Sequence, residues 1–215
     1  MYKMGLALSE GARPLEFKEE EIKFLVAGAE DALARRELAA KPEDFGPQAQ
    51  ALIESRRVAA QAREETAAKE FIAAATKEEG ATALPSGLVY RETKAGSGPK
   101  PGPTAEVTVH YTGTLRDGRV FDSSMQRGQS ATFALNQVIP CWTEALQRMS
   151  AGGTATIWCP SEIAYGPAGA GALIRPGAAL KFDVELLEVK ATVAPPSAAE
   201  DPQETPKPQA QEPKK

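Results

Sequence analysis

The 215-residue chain has one histidine and two cysteines, Cys141 and Cys159. A zinc site needs three or four nitrogen or sulfur ligands at characteristic spacing, so zinc is nearly excluded, and no cofactor is expected. The cysteines read as two buried free thiols, with a disulfide between them as the alternative. There is no basic cluster and the net charge is −4. Phosphate binding needs concentrated Lys and Arg, so nucleic acid is not an expected partner. No run approaches the roughly 20 apolar residues of a membrane span. The start, Met-Tyr-Lys-Met-Gly, lacks the charged-then-apolar pattern of a secretory leader, which as it stands predicts a cytoplasmic protein. A processed start would instead allow the periplasm or the outer membrane. No Ser/His/Asp or Cys/His set is evident. The glycine-rich run at residues 166–171 lacks the Gly-Lys-Ser/Thr of a phosphate loop and reads as a mobile loop.

What the chain does have is a core. Hydrophobic residues make up 42% and charged residues 25%, as in ordinary globular proteins. The organising stretch runs from Val107 to Ser124. Val107, Val109 and Tyr111 alternate with Thr108, His110 and Thr112, the period of a half-buried strand. That alternation puts His110 on the face away from Tyr111, as a structural or surface residue. Asp117-Gly118 then interrupts a run of β-formers, a strong hairpin signal. The turn would bring Phe121 and Asp122 onto a strand beside Tyr111.

Residues 1–80 read as helical. A short first helix carries Tyr2 and Leu6 and closes at Gly11 and Pro14. From Glu19 the apolar positions Ile22, Leu25, Val26, Ala29 and Leu33 form one stripe. Glu19, Glu20 and Glu21 suit the first turn of that helix, Arg35 and Arg36 its far end, and Pro42 is expected to stop it. A long helix follows, from about Pro47 to Glu79, rich in strong helix formers. Its middle, Ser55 to Lys69, is mostly Ala and charge. It reads either as a solvated spacer or as an arm that carries the next domain outward from a homodimer built through residues 1–53, the sparse large residues leaving a thin core for a lone copy. Residues 81–87 form a linker. Residues 88–190 change to strand periodicity, with strands at Leu88–Thr93, Glu106–Leu115, Val120–Ser123, Ala131–Ala134, Thr154–Cys159 and Ala179–Val189, and one helix over Trp142–Met149. In the fifth of these strands Ala155, Ile157 and Cys159 should point inward and Thr154, Thr156 and Trp158 outward. Leu180, Phe182, Val184 and Leu186 should point inward from the last. The expected fold is α+β: an antiparallel sheet wrapped around one short helix, preceded by an all-α domain. Residues 191–215, rich in Pro, Gln, Glu and Lys, are expected to be disordered.

The motifs Val-His-Tyr-Thr-Gly, Gly-Arg-Val-Phe-Asp-Ser-Ser, Val-Ile-Pro-Cys-Trp-Thr-Glu-Ala-Leu, Ala-Tyr-Gly and Leu-Lys-Phe-Asp-Val-Glu-Leu-Leu occur in that order over about a hundred residues. Together they resemble an FKBP-type peptidyl-prolyl cis-trans isomerase, and the helical half is similar to the dimerisation module of macrophage-infectivity-potentiator-like bacterial members. The resemblance implies an FKBP-like fold and an isomerase acting on X–Pro bonds in unfolded or nascent polypeptides. It implies a proline pocket floored by Trp142 and walled by Tyr111, Phe121, Phe133, Val138, Ile139, Tyr165 and Phe182. Asp122 would be the polar group, paired with Arg127 from the following loop. The Ile139 N–H and the Tyr165 hydroxyl would donate to substrate carbonyls, with Phe121, Asp122 and Tyr165 closest to the chemistry. Leu173 and Ile174 would form a flap. The chain departs from the pattern at Ala131 (often an aromatic), Cys141 (usually Gly), Ala170 (His in some members) and Arg175 (commonly Pro). A chaperone or adaptor that binds apolar segments without isomerising them is the alternative function.

Overall fold

A computed structural model describes residues 2–9, 12, 15–37 and 42–190 of the chain. The tail expected to be disordered, residues 191–215, lies outside the described residues, as do Gly11 and Pro14.

Three helices come first: α1 (Tyr2–Ser9), α2 (Glu19–Leu33) and α3 (Pro42–Ala75). Glu21, the third residue of α2, accepts the Lys18 backbone N–H at 2.8 Å, closing the helix start as a capping box does. Pro42 does not stop α2, which ends at Leu33; it opens α3. A proline at a helix start sacrifices only an N–H that has no intrahelical acceptor there. The 34 residues of α3 make a rod about 50 Å long. The segment before it lies along this rod, with the Arg56 guanidinium on Glu21 and 4.7 Å from the Phe17 ring centroid, and Arg63 on Glu16 at 2.7 Å.

The rest is one antiparallel sheet. Its strands are β1 (Thr82–Ala83), β2 (Val89–Lys94), β3 (Glu106–Leu115), β4 (Val120–Ser123), β5 (Ala131–Ala134), β6 (Thr154–Cys159) and β7 (Leu180–Lys190). The order is β1-β2-β6-β7-β3-β4, with β5 pairing β3 on the same edge as β4. Two short helices lie between strands: α4 (Ser124–Arg127) and α5 (Pro140–Leu146). The predicted α+β fold is therefore present. β1, inside the expected linker, is the strand that sequence periodicity missed; at two residues it is too short to show a period.

The concave face of the sheet wraps α5. Val107, Val109, Tyr111, Leu180, Phe182, Val184 and Leu186 all point into this core, as their alternation predicts, and meet Trp142, Ala145 and Leu146 from the helix. The outer face corrects one expectation. Trp158 and Thr156 are as buried as their inward neighbours: Phe71, Ile72 and Ala75 of α3 pack over Trp158 and Val89, and the Thr156 hydroxyl donates to Asp183 at 2.7 Å. The last turns of α3 thus pack against the sheet. Glu64, only 7% exposed, anchors α3 to the other end of the sheet, accepting from Arg116 at 2.9 and 3.2 Å and lying 4.0 Å from Arg175.

The cysteines also correct the sequence reading. Cys141 and Cys159 form a disulfide, with Cα atoms 5.8 Å apart. Cys159 faces inward at the end of β6, and the first turn of α5 brings Cys141 against it. No sequence pattern signals this approach.

Candidate functional site

β3 supplies Tyr111, and the Asp117-Gly118 turn returns the chain so that β4 runs beside it. Gly118 takes a φ of 83°, which glycine adopts without strain. Gly113 pairs with Asp122 on one side and with Phe182 on the other. It must be glycine, because a Cβ there would sit 2.5 Å from Cζ of Phe121. The Phe121 ring therefore lies over bare backbone, with its centroid 5.6 Å from that of Phe182. Ser123 caps α4 through the Gln126 N–H at 3.3 Å, and Gly128 ends that helix with a φ of 69°. This tight turn points Arg127 back at β4.

The polar set is compact. The Tyr111 hydroxyl donates to one Asp122 carboxylate oxygen, Arg127 donates to the other, and Arg127 also donates to the Tyr111 hydroxyl at 3.0 Å. Burial alone would raise the Asp122 carboxyl, but the hydrogen bonds from Tyr111 and Arg127 outweigh it and hold it below its ordinary value. Burial, with the neighbouring Asp122 charge, pushes the Tyr165 phenol up, so at neutral pH that hydroxyl keeps its proton and is able to donate it in a hydrogen bond.

Trp142 is the hub of the apolar part. Its ring lies edge-to-face with Tyr111 at 5.1 Å, Phe182 at 5.3 Å and Phe133 at 5.6 Å. Such pairs add about 0.5–1.5 kcal/mol each beyond area burial, so the rings form a rigid wall. Pro140 opens α5, and the Thr143 hydroxyl ties it to the Leu135 carbonyl at 2.6 Å. Ile139, just before the helix, has no partner for its N–H among the described residues, nor does the Tyr165 hydroxyl.

These side chains enclose a cavity of about 330 Å³ lined by Tyr111, Phe121, Asp122, Phe133, Val138, Ile139, Trp142, Tyr165, Phe182 and one residue the sequence did not suggest, Gln137. Arg127 stands behind Asp122. Leu173 and Ile174 are not among the residues that line this cavity. Ile174 is buried in the core, bridged to Ala170, and Leu173 lines a separate small cleft beside Glu64 and Arg116. Sequence reasoning also missed Ser124, whose buried hydroxyl accepts the Tyr111 N–H at 2.8 Å and lies 3.2 Å from Nδ1 of His110. Nothing local distinguishes that serine from Ser123.

The site has the size and character of a small-ligand pocket: apolar walls, one carboxylate fixed by two donors, and two unpaired donors near the rim. It holds no nucleophile–base pair. It is suited to gripping a compact apolar group flanked by carbonyls.

Comparison with known proteins agrees. The family model described as FKBP-type peptidyl-prolyl cis-trans isomerase matches residues 98–187, and that of the domain amino terminal to it matches residues 1–91. The chain is 52% identical over 126 residues to the FKBP-type peptidyl-prolyl cis-trans isomerase FkpA of Aeromonas hydrophila, covering 59% of this chain and 47% of that one. It is 50% identical over 120 residues to the outer membrane protein MIP of Legionella longbeachae, covering 56% and 52%. The matched stretches span about half the length of these curated relatives. The expectation of a cytoplasmic protein gains no support from them. Among the described residues no helix is long and apolar enough to cross a membrane. The crystal structure of FkpA from Escherichia coli superposes with a TM-score of 0.69 at 34% identity, covering 88% of this chain and 94% of that one. Over nearly its whole described length, the chain belongs to the FKBP-type peptidyl-prolyl cis-trans isomerase family.

Proposed function

We propose that the chain accelerates cis–trans rotation of X–Pro bonds in unfolded or nascent polypeptides, with proline seated on Trp142. The observation that carries this reading is the cavity of about 330 Å³ that joins six aromatic side chains to a single oriented carboxylate. An amide is held planar by resonance, and rotation costs about 18–20 kcal/mol. Halfway through rotation the resonance is lost and the carbonyl oxygen carries less charge. A dry aromatic cavity penalises the planar, polar amide more than the twisted one, which is differential binding of the transition state. The Ile139 N–H and Tyr165 hydroxyl hold the flanking carbonyls while the ring turns. Asp122 stays charged and fixes Tyr111, with no proton passed. Each tenfold in rate needs about 1.4 kcal/mol, a scale that wall contacts and two hydrogen bonds supply.

The test is refolding of a proline-limited protein with the full chain present. Acceleration that falls severalfold in Tyr165→Phe, with unchanged circular dichroism, is expected. Suppressed aggregation without acceleration would favour the chaperone or adaptor reading instead. The pH profile follows from Asp122. Its folded value lies below the unfolded one, so its contribution is complete above the ordinary carboxylate value of about 4 and is lost as pH falls through the lowered value. kcat/KM should therefore stay flat from neutral to mildly acidic pH, and a half-loss near pH 6 (well above about 4) would contradict this role.

We further propose a homodimer through the helical half. The apolar stripe of α2 is uncovered, with Leu33 81% exposed and Ile22, Leu25 and Val26 also open to solvent. A contiguous exposed apolar face of this kind marks an interaction site, and a second copy offers the same face. Sedimentation should give twice the chain mass, reduced to one in Leu25→Glu/Val26→Glu. The disulfide and the name of the Legionella relative together favour an oxidising cell-envelope compartment.

A further inference from the structure

The disulfide sits between the two halves of the pocket. Cys141 is the second residue of α5, immediately before Trp142 and two residues after Ile139. Cys159 ends β6, six residues before Tyr165. The segment between Cys159 and Tyr165 is an irregular turn without strand or α-helix, with backbone bonds Ile163 to Pro160 at 3.3 Å and Ala164 to Ser161 at 3.0 Å and with Ile163 and Ala164 packed on the core. On the other side, the Thr143 hydroxyl bond to Leu135 is the side-chain tether of the first turn of α5. The bond thus joins the strut carrying the floor and one unpaired donor to the strut carrying the other donor. Both cysteines are fully buried.

We propose that the Cys141–Cys159 disulfide is a positioning element for this site, setting the spacing of the Ile139 and Tyr165 donors over Trp142, so that the oxidised and reduced forms differ in turnover. The inference rests on the pocket being a proline site. In reduction, one thiolate of a dithiol attacks one sulfur and expels the other as a thiolate, which takes up a proton. The second thiol of the reductant then resolves the mixed disulfide, leaving two cysteine thiols and the oxidised dithiol. With both sulfurs buried, exchange requires opening of the native state, so the redox state is fixed mainly where the chain folds.

The experiment uses the full chain, oxidised or reduced in denaturant with a dithiol and refolded under argon, its thiols counted by alkylation and mass. Turnover of an X–Pro tetrapeptide is measured together with tryptophan emission in a Trp158→Phe background, where Trp142 is the remaining tryptophan of the two in the chain. The expected result is a KM raised at least about threefold in the reduced form, an altered Trp142 emission, and recovery of both on reoxidation. If the reduced chain does not refold, Cys141→Ala/Cys159→Val, which keeps the space between α5 and β6 filled, takes its place. It should show the same raised KM and no response to reductant. A verified dithiol form, or that variant, with unchanged KM and unchanged emission overturns the inference. Absence of turnover in the oxidised protein would instead remove the proline-site reading itself.

Discussion

Phe121→Ala should lower kcat/KM for an X–Pro peptide by roughly ten- to fiftyfold while leaving the protein folded. Fully burying a phenylalanine side chain is worth about 1.5–3 kcal/mol, and every 1.4 kcal/mol is tenfold in rate. Phe121 is only half-buried in the free protein, touching Phe182 and the bare backbone of Gly113. Its unmet contact is therefore the one a bound ring would make, and truncation falls on binding more than on folding. Trp142→Ala is the contrast. Trp142 is buried against three rings, so its removal should cost about 3–5 kcal/mol of stability and blur any kinetic reading. Turnover of an X–Pro tetrapeptide, with a chemical melt alongside, separates the two. Full activity in Phe121→Ala would remove the aromatic wall from the mechanism.

Arg116→Ala should destabilise the docking of α3 by about 2–3 kcal/mol, and more than Arg116→Ala/Glu64→Ala does. The Glu64 carboxylate is buried, and without the two Arg116 hydrogen bonds the cation left beside it among the described residues is Arg175 at 4.0 Å. Leaving a buried charge without its partner costs about 3–5 kcal/mol, whereas removing both partners can be close to neutral. The lower figure reflects the partial exposure of Arg116. Denaturant unfolding of the single and double variants measures the difference. Equal destabilisation would mean that Glu64 is as well solvated alone as paired, and that the packing over Trp158 holds the helix by itself.

How much of this was legible beforehand can be judged residue by residue. β3, β4, β5 and β6 begin and end where alternation and the Asp-Gly turn put them, because each is short, half-buried and bounded by turn formers. The aromatic wall was legible for the same reason: Tyr111, Phe121 and Phe182 sit at inward positions of strands whose period fixes their side. Trp142 followed from helical spacing. What failed depended on partners far away in sequence. Trp158 alternates outward from β6, yet α3, about 80 residues earlier, covers it.

The sequence by itself determined the periodic elements and the faces they bury, since local sterics and alternation act over a few residues, and its motifs carried the family resemblance that implied the pocket set. Tertiary structure alone decided that α3 lies against the sheet, that Glu64 meets Arg116, and that Cys141 bonds Cys159. Those contacts join residues 18 to 87 positions apart, and no local pattern encodes which distant surfaces meet when the chain buries its apolar area.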